Sequence, residues 1–132
     1  MSVTDILADS FVKIKNAYAV KKDKVDIKSS KMLISIIEIF KRERLIQDYK
    51  FIEDNKQGII RVYLKYSNKR VPALKDIKRV SKIGCRVYVD KDKIPRVLRG
   101  IGLAILTTSK GILTDVEARE QNVGGEVICY VY

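Results

Sequence analysis

Apolar residues recur along this chain at two different periods, and the change of period divides it. Leu7, Phe11, Ile14 and Tyr18 fall three and four residues apart, which predicts a helix with one apolar face. Thr4 precedes Asp5 as the hydroxyl cap of that helix. A second helix is expected to open at Ser29 and Ser30, to bury Leu33, Ile36, Ile37 and Phe40, and to end in Lys41-Arg42-Glu43-Arg44. The period then drops to two. Leu45–Ile52 reads as a strand, Glu53–Gly58 as a turn and Ile59–Tyr66 as the return. Ile60, Val62, Leu64 and Tyr66 alternate with Arg61, Tyr63 and Lys65, so one face of this hairpin is wet.

Ser67-Asn68-Lys69-Arg70 interrupts the pattern before Val71 and Pro72, and a domain boundary is expected there. It leaves an N-terminal lobe at 1–68 and a C-terminal lobe at 69–132. Beyond the break, strand patterns cover 73–80, 85–89, 103–108 and 126–132. A short helix is expected over 94–99, starting near Pro95. Another should follow Thr114, because Thr114-Asp115-Val116-Glu117 has the spacing of a reciprocal capping box. Asn122-Val123-Gly124-Gly125 then turns the chain into the last strand. The expected fold is α+β: two helices and a β-hairpin, then a mostly antiparallel β lobe with short helices.

Charge is placed unevenly on this frame. The formal net charge is +11 over 132 residues. Residues 1–50 contribute +4 and residues 51–99 contribute +9, whereas residues 100–132 carry −2. A surplus of that size suits a polyanion, because each neutralised phosphate releases counterions. Hydrophobic residues make up 46% of the chain, enough for a packed core. The N-terminus carries Asp5 and Asp9 and lacks the apolar stretch of a secretory signal. No apolar run approaches the roughly 20 residues that span a bilayer. The expected place is the cytoplasm, in preference to an organelle, with no membrane partner.

Enzyme chemistry finds little footing. Nucleophiles of the Ser-His or Cys-His kind need a histidine, and the chain has none. Ser109 and Lys110 are adjacent, and neighbouring side chains on a strand or tight turn diverge. Cys85 and Cys129 lack the spacing of a metal or redox pair; a disulfide between them is compatible with the sequence, and the expectation is that both are reduced, buried and structural. Asp115, Glu117, Glu120 and Glu126 cluster in sequence and are candidate magnesium ligands. Asp115 and Glu117 are equally accounted for by a helix N-terminus, where the dipole favours carboxylates. Gly100-Ile101-Gly102 lacks the third glycine of a dinucleotide loop. The expectation is a non-enzyme, with no cofactor, no metal and no small-molecule substrate.

The informative segment is Thr107-Thr108-Ser109-Lys110-Gly111, three hydroxyls and a cation at the end of an apolar strand. Taken alone it is first of all a polar β-turn. In longer context, Gly100 through Arg119, followed by Gly124-Gly125-Glu126-Val127-Ile128-Cys129-Tyr130, resembles the C-terminal half of the bacterial family of small-subunit ribosomal protein eight. The resemblance continues over the whole chain. It includes Thr4-Asp5, Ala8-Asp9, Ile14-Lys15-Asn16-Ala17, Ser29-Ser30-Lys31, Ile77-Lys78-Arg79-Val80-Ser81 and Arg86-Val87-Tyr88. The chain departs from the family in Ile6 and Ile83, where proline is usual, in Lys13 and Lys15, where arginine is usual, and in Thr107, where serine is usual.

The resemblance implies a primary binder of small-subunit ribosomal RNA. It would sit on a distorted helix of the central domain, help assemble the platform beside neighbouring ribosomal proteins, and repress translation of its own operon's messenger RNA. The main RNA surface carried over by resemblance is Thr107, Thr108, Ser109, Lys110, Gly124, Gly125 and Glu126, with Arg86 and Tyr88 on the adjoining strand. The N-terminal lobe contributes Thr4, Asn16, Ser30 and Lys31. Geometry agrees with such a target, since an A-form helix hides its major groove and offers shape and sugar hydroxyls instead. Basic residues would supply affinity and the hydroxyl loop selectivity, so losing the hydroxyls of Thr108 and Ser109 should cost RNA binding and little stability. Two other classes compete. A duplex-DNA binder would show a helix-turn-helix, zinc finger or basic zipper, and none is legible. A magnesium-dependent nuclease would need the acidic cluster, and a nuclease assay with and without metal separates it from a pure binder.

Binding to small-subunit ribosomal RNA should weaken with salt on a log–log line, and Lys31→Ala should flatten its slope by about one if the ammonium neutralises a phosphate. An unchanged slope in a salt titration removes Lys31 from the interface.

Overall fold

Local signals set the two helices of the N-terminal half. In the computed structural model, which describes residues 6–82 and 84–132, helix α1 spans Ile6–Ala19 and buries Phe11, Ile14, Ala17 and Tyr18. The expected cap at Thr4 lies outside the described residues. Helix α2 spans Lys31–Arg42, and the Ser30 hydroxyl caps it by accepting from the Leu33 amide at 3.1 Å. Lys41 and Arg42 fall in its last turn, where cations meet the negative end of the dipole. The Phe11 and Phe40 rings stack between the helices with centroids 6.5 Å apart.

Both helices serve a three-stranded antiparallel sheet. Its strands are β1 (Lys24–Lys28), β2 (Asp48–Ile52) and β3 (Ile59–Tyr63), in the order β1-β3-β2. On the central strand Ile60 and Val62 are fully buried, while Arg61 turns outward and pairs with Asp26 directly across the register. Two bonds join that pair, at 2.9 and 3.2 Å, and the Arg61 guanidinium holds the Asp26 carboxyl below its usual range. The hairpin of β2 and β3 matches the alternation in the sequence. Strand β1 was not expected, because its lysines at 24 and 28 read as part of a solvated run.

The chain separates into two compact units, Met1–Lys75 and Asp76–Tyr132. The boundary expected at 68/69 therefore moves. Residues 69–75 bond to the first unit: the Val71 carbonyl accepts from the Ser67 amide at 2.9 Å, the Ala73 amide donates to the Lys65 carbonyl at 3.0 Å, and the Arg70 guanidinium reaches the Lys21 carbonyl at 3.2 Å. The polar stretch is a turn within the first unit, closed by a bridge between Tyr66 and Pro72.

The second unit is a five-stranded antiparallel sheet made of β4 (Ile77–Arg79), β5 (Tyr88–Val89), β6 (Leu103–Thr108), β7 (Gly111–Thr114) and β8 (Gly125–Val131). Strand β8 is its spine, pairing with β6 on one side and with β4 and β5 on the other. Helix α3 (Asp115–Glu120) starts with the expected capping box: the Glu117 amide donates to the Thr114 hydroxyl at 3.2 Å, and the Thr114 amide to the Glu117 carboxylate at 3.1 Å. Ala104, Leu106, Leu113, Ala118 and Val127 form the core with Ile94 and Val97.

Two further expectations need correction. The helix expected over 94–99 is a single 3-10 turn at Val97–Gly100, with Leu98 and Arg99 in the left-handed region at φ 48° and 57°. Arg119 takes the carbonyls of Ile94 and Pro95 at 3.4 and 2.7 Å, so those oxygens are bonded to a side chain rather than to a following helical turn. Cys129 is buried, but Cys85 is exposed beside a tight turn that Lys82 closes. Both thiols are free, and burial pushes that of Cys129 up to about 12. No helix among the described residues is long and apolar enough to cross a membrane.

Tyr18 ties the first unit together, and it makes stability there pH-dependent. Its hydroxyl donates to the Leu45 carbonyl at 2.6 Å and accepts from the Lys65 amide at 3.1 Å, joining α1 to both sides of the hairpin. Burial raises its pKa from 10.0 to about 12. A folded-state pKa above the unfolded one contributes stability below pH 10 that is lost as pH climbs toward 12. Tyr18→Phe should cost about 1–3 kcal/mol near neutrality, by leaving buried backbone groups unpaired. Denaturant titrations should show the gap between wild type and variant shrinking above about pH 10. A gap that stays constant would contradict the role given to this hydroxyl.

Candidate nucleic-acid interface

The second unit brings most of the expected RNA-contacting residues onto one stretch of sheet. Directly opposed residues in antiparallel strands share a face. Tyr88 lies opposite Glu126, Glu126 opposite Thr107, and Thr107 opposite Ile112, so the four form a row across β5, β8, β6 and β7. With strands about 4.8 Å apart, Tyr88 and Thr107 stand about 10 Å from each other with Glu126 between them. Tyr88 is 70% exposed, so its ring is a free face rather than a packed strand aromatic.

Charge in the row is fixed by one ion pair. The Arg86 guanidinium meets the Glu126 carboxylate at 3.1 Å, with the arginine half exposed and the glutamate largely covered. A half-exposed pair adds little stability. Its effect is geometric: Glu126 fixes one end of a planar cation on the segment that carries Tyr88, and the guanidinium stays half exposed. The segment that carries Arg86 is itself anchored. The Val87 amide donates to the buried Ser81 hydroxyl at 2.9 Å, and the Val87 carbonyl accepts from the Val127 amide at 2.9 Å.

The adjoining glycines have two different reasons to be glycine. At Gly125 a β-carbon would run into the Thr107 carbonyl, and at Gly124 into the Val89 carbonyl. These residues let β5, β8 and β6 close onto one another. Gly111 has open space around it but a φ of +105°, which the turn needs. At that turn the Thr108 hydroxyl donates to the Gly111 carbonyl at 2.9 Å and accepts from the Lys110 amide at 3.1 Å. Thr108 is thus a turn clamp, so its hydroxyl has a structural part that the expectation of little stability loss did not include. Ser109 and Lys110 are exposed at the tip.

Among the described residues, no group of carboxylates, cysteines or histidines is placed to hold a metal ion. Three of the four acidic residues of the sequence cluster have partners within the fold. Asp115 is buried against Arg119 at 3.1 Å and accepts from the Ala104 amide at 3.3 Å, Glu117 belongs to the capping box, and Glu126 holds Arg86.

Comparison with known proteins decides the family. The profile of the family described as Ribosomal protein S8 matches residues 5–132. A small ribosomal subunit protein uS8 of Geobacter metallireducens is 54% identical over 132 residues, covering 100% of both chains. That of Geotalea uraniireducens is 52% identical with the same coverage. That of Thermodesulfovibrio yellowstonii is 52% identical over 130 residues, 98% of this chain and 99% of its own. This chain belongs to the ribosomal protein S8 family. It is a small-subunit ribosomal protein and not an enzyme.

The residues expected on the first unit do not form a second row. Asn16 lines a hollow of about 550 Å³ between α1 and β1, together with Lys13, Lys22 and Lys24. Ser30 is spent as the α2 cap, and Lys31 is exposed at the first turn of that helix. Thr4 falls outside the described residues. The basic wall of the hollow escaped the sequence reading. Its signal was the alternation Lys24-Val25-Asp26-Ile27-Lys28, charged and apolar by turns, which marks a half-buried strand.

Proposed function

We propose that this S8-family protein is a primary binder of small-subunit ribosomal RNA, reading a locally distorted helix of the central domain through the second unit and aiding assembly of the platform beside other small-subunit proteins. The observation that carries the reading is the preformed row Tyr88-Glu126-Thr107, with Arg86 held beside it and the Ser109-Lys110 tip next to it. A planar ring suits an unstacked base, a fixed guanidinium suits a phosphate or a guanine edge, and short hydroxyls suit close contact with sugar and base edges. None of these needs a regular helix. They need a distortion that lets the sheet approach, and the glycine pair keeps that approach flat.

The basic hollow of the first unit supplies affinity that is not sequence-dependent. Lysine ammoniums at Lys13, Lys22 and Lys24 engage phosphates as point charges. A messenger RNA that folds into the same local shape competes for the same row, which is the basis for repression of the protein's own operon. The place of action is the ribosome in the cytoplasm.

The test separates selectivity from charge while sparing the turn. Thr107→Val keeps the branched strand side chain and Ser109→Ala trims only the tip, so neither touches the Thr108 clamp. The double variant should bind its cognate ribosomal RNA site at least about tenfold more weakly, from roughly 1–3 kcal/mol for each RNA group left unpaired. It should bind an unrelated RNA duplex as the wild type does and melt at the same temperature. Thr108→Ala, by contrast, should lower the melting temperature as well. Equal weakening toward both RNAs, or none toward either, would move recognition away from this row.

A further inference from the structure

Helix α1 borders a second hollow, which the row on the second unit does not use. It encloses about 400 Å³ beside the first turns of α1, the last residue of β1 and the turn that leads into β3. That volume lies within the range of about 300–1,000 Å³ usual for small-ligand sites. Its wall is mixed. Ile6 and Val12 give apolar surface, with Val12 52% exposed, and Asp9 and Ser10 stand between them on the helix. Lys13 lines this hollow and also the basic one of Asn16, Lys22 and Lys24, so the two adjoin at that residue.

The polar groups of the hollow are held in place without being used up by the fold. Ser10 is only 2% exposed, yet its hydroxyl bonds to no group among the described residues. A helical serine commonly returns its hydroxyl to the carbonyl one turn back, as Ser35 does to Lys31 at 3.3 Å. A covered hydroxyl that does not do so is completed by what enters the hollow. Asp9 and Lys13 stand one helical turn apart, the spacing of an ion pair, and neither is paired among the described residues. Across the hollow, the turn that carries Gln57 is fixed. The Asp54 carboxylate accepts from the Lys56 and Gly58 amides, each at 3.0 Å, and the Gly58 carbonyl accepts from the Ser29 amide at 3.0 Å.

We infer that this hollow receives one extruded guanine nucleotide of an RNA strand. Asp9 selects the base. A carboxylate accepts two parallel N–H bonds, and guanine alone of the four bases offers two adjacent donors, N1–H and N2–H, on its pairing edge. The Ser10 hydroxyl and the Gln57 amide donate to its remaining acceptors, and Ile6 and Val12 cover the ring. Lys13 and Lys28 meet the phosphate. A free guanine nucleotide has the same chemistry. The strand is favoured because Lys13 leads directly to Lys22 and Lys24, which extend the cationic wall past the reach of one phosphate. Extrusion costs least where the helix is already distorted, so the inference rests on the RNA binding proposed above for the origin of the base.

The test is kethoxal probing of small-subunit ribosomal RNA with the full chain bound, since kethoxal adds across N1 and N2 of an accessible guanine. The wild type should protect one guanine that Asp9→Asn and Gln57→Ala each leave reactive. Both variants should melt as the wild type does and keep the protections made through the second unit. Asp9→Asn removes a negative charge from a basic face, which on charge alone strengthens RNA binding. The inference predicts the opposite, a loss of at least about tenfold. Inosine in place of the protected guanine lacks the N2 amine. It should weaken the wild type and leave Asp9→Asn unmoved, because both changes break the same contact. Unchanged or tighter binding by Asp9→Asn, or no guanine whose protection depends on position 9, would overturn the inference and leave the RNA row standing. Binding of 5′-guanosine monophosphate as tight as that of the RNA would overturn the strand as the source. A wild type that protects no ribosomal RNA at all would remove both this site and the proposed function.

Discussion

The second unit depends on how closely three strands approach at one point. Gly124 and Gly125 open β8, and the carbonyls of Val89 and Thr107 occupy the space their β-carbons would need. Without that approach β5 could not lie against β8, and Tyr88 could not share a row with Glu126 and Thr107. The constraint is steric, so it is nearly all-or-none: packed backbone has no soft direction in which to yield. Everything proposed for recognition inherits it. The Arg86–Glu126 pair gains its direction from the strand on which Glu126 stands, and the Ser109-Lys110 tip from the register that Thr108 and Gly125 set.

Around that point the unit divides its polar side chains into those that build and those that are left over. Asp115, Arg119, Thr114, Glu117, Ser81 and Thr108 each have partners within the fold, and each fixes a segment whose backbone would otherwise be unsatisfied. Tyr88, Ser109 and Lys110 are exposed, and Arg86 is half exposed beside Glu126. A surface of this kind has little ordering cost on binding, which suits the primary RNA binding proposed for it. The first unit shows another arrangement, in which lysines at the rim of a hollow present charge without fixed geometry.

Much of this was legible in the sequence, for identifiable reasons. Helix faces, the Ser30 cap and the Thr114–Glu117 box are short-range patterns, so the chain displays them directly. The pairing partners of β8 are long-range, and the family resemblance supplied the expectation that Thr107 and Gly125 belong together. Strand β1 was missed because three of its five residues are charged, and their alternation is hidden in a longer lysine run. The turn at Val97–Gly100 was mistaken for a helix because Pro95 is a good helix opener, while the guanidinium that captures the carbonyls of Ile94 and Pro95 comes from Arg119, far along the chain. Cys85 was expected to be buried from the ordinary habit of cysteine, but it stands beside a turn that Gly84 and Lys82 bring to the surface.

The most direct measurement of the central claim is a cognate-RNA titration of Gly125→Ala beside Gly84→Ala, with melting curves for both. Gly84 has nothing within 4 Å of a built β-carbon and is not among the left-handed residues, so alanine there should leave both binding and stability near the wild type. Alanine at 125 must displace the Thr107 backbone, and it should cost about 1–3 kcal/mol of stability. Where the protein remains folded, affinity for the cognate RNA should fall at least about tenfold with no change toward an unrelated duplex. A Gly125→Ala protein that is folded and binds its RNA as tightly as the wild type would contradict the claim that this close approach makes the recognition surface.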